Sequence, residues 1–312
     1  MTSKGFRNHP AGRKPAKTDQ YDPGGSMGML FAFAAALLLP AAFQLADIQD
    51  KDWLGELASQ RSWYVENSGD GSWRFYSSAD SGLSRDTLAL LDRLYPRLGE
   101  LLGGLGPKEG AAASRETDHR YPALDDPTLL ALFSDQEDLN AVARAVGQRW
   151  DYLRPWSEEV VGGHFPLVRV WEPAMGLVLH NASTEKVKRP EVRLIHQAIQ
   201  IEIGRRFGPV PFWLLEGLGY ALQDELVGGV YGYSNRQARE LSEEYHQTWR
   251  SRAQAAVTGD DPGLDTFVQD VASPFQQERA FRQFAFGVWL LRARAGRVAP
   301  LLEAFAAARP AG

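Results

Sequence analysis

The spacing of apolar positions changes character several times along the chain. An uncharged run over residues 27–43 (MGMLFAFAAALLLPAAF) comes first, at the lower edge of the roughly 17 to 25 residues that carry a helix across a bilayer. Trp73-Arg74-Phe75-Tyr76 is a short aromatic strand candidate. Leu91, Leu94, Leu98 and Leu101 follow at three- and four-residue spacing, which predicts a helix opened by Ser84 as N-cap and stopped by Gly103-Gly104. Residues 128–133 form an unbroken apolar run and predict a buried strand; Ser134-Asp135-Gln136-Glu137 then opens a helix through Leu139, Val142 and Val146. Two more short strands are predicted over 165–171 and 177–180. Beyond about residue 190 the texture is helical, with helices expected over 192–207, 213–226, 236–256, 277–295 and 300–307.

This order predicts an α+β fold: a small N-terminal sheet with helices over residues 71–185, then a mostly helical subdomain over 186–312. Residues 47–70 read as a polar connector, with Trp53 and Trp63, that docks on the domain. Residues 107–127 read as a polar loop. Phe281, Phe284, Phe286 and Trp289 fit the core face of the 277–295 helix. No internal repeat is present.

Charge adds topology to this picture. The 312 residues sum to a net charge of -5, yet Lys4, Arg7, Arg13, Lys14 and Lys17 precede the apolar run and Asp47, Asp50 and Asp52 follow it. Residues 1–26 read as a disordered basic tail, and residues 27–46 as an uncleaved signal-anchor with the rest of the chain outside the cytoplasm. A cleaved signal peptide, leaving a secreted or periplasmic protein, is the competing reading; small residues Ala41, Ala42 and Ala46 stand where cleavage would fall, without a clean A-x-A. No long basic run exists to make a nucleic-acid surface. With no cysteine and six His, disulfides, thiolate metal sites and cysteine nucleophiles are excluded, and His/Glu chemistry remains. No G-x-S-x-G elbow and no phosphate loop occurs.

The informative stretch runs from Arg193 to Tyr220. His196 and Gln200 are four apart and share a helical face, with Gly204 one turn on. Gly208-Pro209 stops that helix and Pro211 starts the next, so a short turn folds Glu216 back toward His196 and Gln200. This layout resembles the gluzincin (peptidase-MA-like) zinc metallopeptidases, in which a helix bearing HExxH is followed by a W-L-x-E-G-L-A helix. Trp213-Leu214-Leu215-Glu216-Gly217-Leu218 matches the second motif, and the order of outer elements extends the resemblance from about residue 70 to the C-terminus. The resemblance implies zinc ligands at positions 196, 200 and 216 and a general base at 197. Here the first motif reads His196-Gln197-Ala198-Ile199-Gln200. A carboxamide cannot take a proton from water and is a poor Zn²⁺ ligand beside imidazole.

These departures predict a catalytically degenerate pseudopeptidase with no catalytic residue and no resident zinc, in which His196, Gln200 and Glu216 are vestigial ligands. His196 is expected to hydrogen-bond Glu216 or Gln200. The remnant cleft is expected to hold a peptide or protein, extended along the strand ending at His180. One alternative is an active zinc hydrolase using His196, Glu216 and a third ligand; another is a structural envelope protein with a filled cleft. The other histidines, His9, His119, His164 and His246, show no metal-ligand spacing, and Tyr231 and Tyr233 lie where related enzymes hold the transition state. Lys186, Lys188, Arg189, Arg193, Arg205 and Arg206 read as solvated helix ends, as do Asp224 and Glu225.

Overall fold

Apolar runs without alternation need cover on both faces, and the two strands of this kind lie at the middle of a sheet. The computed structural model describes residues 52–105, 127–163, 167–170, 174–182, 185–186, 189–208, 210–231, 248–258 and 277–308. The chain from residue 50 onward forms one unit. Its α+β architecture has a small mixed five-stranded sheet among mostly helical elements. In chain order the strands are β1 (Tyr64–Asn67), β2 (Trp73–Ser77), β3 (Thr128–Phe133), β4 (Leu167–Val170) and β5 (Met175–Leu179), arranged 1-2-3-5-4. The central pairs β2/β3 and β3/β5 are parallel, and antiparallel β1 and β4 form the edges. A two-residue hairpin, β6 (Asn181–Ala182) with β7 (Glu185–Lys186), stands apart.

The sheet's period-two geometry divides the core. Phe75, Leu130, Leu132 and Val178 point to one face, against α2 (Ser81–Leu102), α5 (Pro190–Phe207) and α6 (Phe212–Val227). Tyr76, Ala131, Phe133, Leu177 and Leu179 point to the other, against α1 (Trp53–Gln60), α3 (Gln136–Arg149) and α4 (Arg154–Gly162). On the first side α7 (Trp249–Thr258), α8 (Gln277–Arg294) and α9 (Val298–Ala307) complete the helical layer.

Local chemistry sets the helix ends. Asp80, rather than Ser84, caps α2 by accepting from the Leu83 amide at 2.9 Å, and Gly103 ends it in the left-handed region at φ 70°. Ser84 sits within the first turn and donates to Ser77 Oγ at 2.9 Å. Asp135 caps α3 through the Glu137 amide, as its sequence context suggests.

The stretch expected to be a connector holds α1 and β1. Asp52 caps α1 and Leu54 and Ala58 are buried, while β1 is exposed throughout and is held by its pairing with β2. A helix of eight residues with two buried positions leaves too little periodicity to read. Strand β5 also departs from expectation: it is hydrogen-bonded on both sides, so an extended partner has no edge to join there. Among the described residues, β4 is the outermost strand on that side of the sheet. Trp289 is 50% exposed rather than in the core, about 140° around α8 from buried Phe284. No helix among the described residues is long and apolar enough to cross a membrane; residues 27–46 lie outside them.

Phe133, fully buried where β3 meets Trp63 and the α3 layer, tests the sheet core. Phe133→Ala is expected to lower unfolding free energy by about 3 to 5 kcal/mol, read from urea denaturation; a loss within about 1 kcal/mol would contradict this packing.

Candidate functional site

Helix α5 is buried over its whole length except at His196 and Arg206, so every polar group it carries needs a partner inside the protein. The Gly208 stop and the Pro211 start fold α6 back antiparallel, as the sequence implies. This brings three of the expected residues together. His196 Nε2 lies 3.2 Å from Glu216 Oε2, and the Gln200 amide nitrogen lies 2.9 Å from His196 Nε2 while donating to Glu216 Oε1. Glycine makes the approach possible: a Cβ on Gly219 would stand 2.5 Å from the imidazole ring, which fills that space and lies 5.0 Å from the Tyr220 ring.

The fourth residue of the motif is turned elsewhere. Gln197 packs on the sheet, its Oε1 2.9 Å from where a Cβ on Gly176 would be, and that oxygen has no hydrogen-bond partner. His180 follows β5, its amide bonded to the Phe133 carbonyl at 2.7 Å and its Nδ1 without a partner. No hydrogen bond joins it to His196, Gln200 or Glu216, so it is not part of the cluster.

Two further residues belong to the site. Tyr220, one turn after Glu216 on α6, hydrogen-bonds its carboxylate, and Arg169 on edge strand β4 contributes positive charge. Burial pushes the Glu216 carboxyl up, but the charge and hydrogen bond of His196, the Arg169 guanidinium and the Tyr220 hydroxyl outweigh it and hold it at about 2. Burial and the adjacent Glu216 charge push the Tyr220 phenol well above its ordinary range. The i, i+4 spacing could have flagged Tyr220; for Arg169 the only signal is its alternation with buried Val168 and Val170.

Of the expected solvated helix ends, Arg193, Arg205 and Asp224 are buried, whereas Glu225 is exposed as expected. Arg205 and Glu202 form an ion pair at 3.5 Å, joined by Tyr95, which donates to Glu202 at 3.2 Å, and by Thr128, which accepts from Arg205 at 2.8 Å and donates to Glu202. Arg193 is likewise buried. Buried Asp224 pairs with Arg250 at 2.7 Å, and Glu225 with Arg97 at 2.8 Å. Apart from the Glu202–Arg205 pair, three residues apart on α5, the partners come from distant parts of the sequence. Arg206 does remain at the α5 end, donating to the Leu102 and Gly103 carbonyls. Arg189 begins α5 and pairs with Glu191, and its guanidinium lies 5.1 Å from the Tyr231 ring, so Tyr231 is a packing partner at the α5 start. His9, His119, His164, His246, Tyr233 and the side chains of Lys186 and Lys188 lie outside the described residues.

The donor set does not fit the zinc centre of an active peptidase. The cluster offers one imidazole, one carboxylate and one carboxamide, whose nitrogen is turned toward both other groups. Zinc-bound histidines ordinarily donate their second nitrogen to a fixed acceptor, whereas His196 Nδ1 is buried without one. No ionisable base stands beside His196 at position 197.

Two measurements follow from this geometry. Gly219→Ala is expected to cost about 1 to 3 kcal/mol by driving a methyl into the imidazole, and His196→Ala in the same chain should recover most of it; additive losses would contradict the contact. The folded chain keeps Glu216 ionised down to about 2, below the unfolded value of 4.5. Between these values the unfolded state binds more protons, so the contribution is whole above 4.5 and is lost as pH falls through the folded value. Urea titrations across the acid limb should show a shallower pH dependence in Glu216→Gln than in the parent.

Comparison of the chain with protein-family models, with curated proteins and with solved structures gives no match, so the functional reading rests on the residues themselves.

Proposed function

We propose that the chain is a catalytically degenerate, gluzincin-like protein of the cell envelope, carried there by residues 27–46, that holds a peptide or protein partner without hydrolysing it. The observation that carries this reading is geometric: the Gln200 carboxamide stands between His196 and Glu216, where the resemblance implies a second imidazole, and Gln197, at the implied general-base position, is turned onto the sheet and as a carboxamide takes no proton. A helix pair that keeps the His196–Glu216 contact without a base retains the scaffold of a peptidase and not its reaction. The partner's place in this reading is the outer edge of β4, whose Arg169 charge acts on Glu216, where main-chain pairing would hold an extended peptide.

A second reading, a structural protein with a filled cleft, draws support from the burial of Gln197, Gln200 and Glu216. The zinc-hydrolase alternative needs a third ligand, and no group of three or more His, Asp or Glu able to hold a metal stands among the described residues.

Zinc titration of the full chain in detergent separates the degenerate-site reading from the hydrolase one. The parent is expected to bind no stoichiometric zinc and to leave a fluorogenic peptide mixture intact. The Gln197→Glu/Gln200→His double variant should acquire zinc that is lost on His196→Ala. Stoichiometric, His196-dependent zinc in the parent would move the protein to the hydrolase reading. Failure of the double variant to take zinc would sink the claim of a degenerate zinc site.

A further inference from the structure

The layer on the far side of the sheet from His196 carries a corner of partly exposed aromatic side chains. Trp53, at the start of α1, meets Trp150, at the end of α3, with ring centroids 5.9 Å apart and nearly perpendicular. The 3-10 turn Asp151–Leu153 continues the corner with Tyr152, 53% exposed, and Leu153. Trp156 follows on α4, also partly exposed. Trp and Tyr of this kind, apolar in body and polar at the edge, are enriched where a protein meets the headgroup region of a bilayer.

Under the anchored reading, chain length keeps Trp53 within reach of the membrane. Only six residues separate Trp53 from Ala46, the end of the apolar N-terminal segment, and so short a piece reaches at most about 25 Å even when fully extended. Charge narrows the lipid chemistry. Arg149, with its guanidinium 5.8 Å from the Trp150 ring, and Arg154, paired with Asp151, are offset by Asp151, Glu158 and Glu159. A surface with no cationic excess has little attraction for anionic lipid and suits a zwitterionic one.

We infer that the corner formed by Trp53, Trp150, Tyr152 and Trp156 docks on the zwitterionic phospholipid surface of the membrane that holds residues 27–46. This rests on the anchoring part of the proposed function. Because the sheet separates α1, α3 and α4 from α2, α5 and α6, docking by this corner turns the His196 cluster away from the bilayer. The opposite layer carries its own exposed aromatic, Trp289 on α8, 50% exposed, and docking through this corner leaves it in water.

The absence of cysteine makes the test direct. Tyr152→Cys and Trp289→Cys, each at an exposed site, are labelled with an environment-sensitive fluorophore in the full chain and reconstituted in phosphatidylcholine vesicles containing a headgroup-depth nitroxide lipid. Expected is loss of most of the emission at position 152 and none at 289, with iodide in the water quenching 289 and sparing 152. Equal lipid quenching at both positions, or quenching at 289 alone, overturns the docking. Shielding of 152 from iodide without lipid quenching also overturns it and identifies a protein as the cover. Vesicle flotation after alkaline extraction reports separately on the anchor. A chain that fails to float removes the anchoring reading and the docking with it, whereas one that floats without quenching at 152 removes the docking alone.

Discussion

A helix enclosed on every side that nonetheless carries Glu191, Arg193, Gln197, Gln200, Glu202 and Arg205 sets the terms for everything around it. Leaving one such group unmatched in the interior costs about 1 to 3 kcal/mol, and more for a charge. The neighbours of α5 are therefore chosen as much for polarity as for shape. Helix α2 supplies Tyr95, β3 supplies Thr128 and α6 supplies Glu216. Where α5 bears apolar residues, Ile195, Ala198 and Ile199 pack without such demands. Among the buried polar atoms of α5 that this matching leaves over are the Gln197 oxygen and His196 Nδ1, both in the stretch from His196 to Gln200.

Close approach is the second condition, and glycine meets it at the two places that matter most to α5. Gly176 lets the Gln197 side chain lie on the sheet, and Gly219 lets the His196 ring lie on α6. The cluster is thus clamped between strand and helix. Its hydrogen bonds can form because the backbones are near, and its carboxylate stays ionised because His196, the Arg169 charge and the Tyr220 hydroxyl outweigh its burial.

Much of this was legible in the chain before any coordinates. The apolar run at 128–133 coincides with β3, and the helix-breaking residues Gly208, Pro209 and Pro211 place the turn that joins His196, Gln200 and Glu216. These signals are local, and local chemistry decides them. The burial of Arg193, Arg205 and Asp224 was not legible, since the partners of Arg205 and Asp224 lie up to 77 residues away and a charged residue near a helix end looks the same whether or not such a partner exists. The pairing of β5 on both edges depends on where β4 folds back, which periodicity does not encode. His180 shows the same gap: its position after a strand leading to the His196 helix is readable, the absence of a hydrogen bond from it to the cluster is not.

Helices α6 and α8 meet almost backbone to backbone, a Cβ on Gly287 falling 2.1 Å from the Gly217 carbonyl oxygen and one on Gly217 falling 2.5 Å from that of Gln283. Such a contact closes a loop of roughly 70 residues, an entropic cost of about 4 kcal/mol. The sheet with α5 and α6 has no such cost for its helix hairpin, whose turn is a few residues long. Loop closure therefore weighs on the α8 contact rather than on the helix hairpin, and that contact is what covers the Gly217 side of α6, one residue from Glu216.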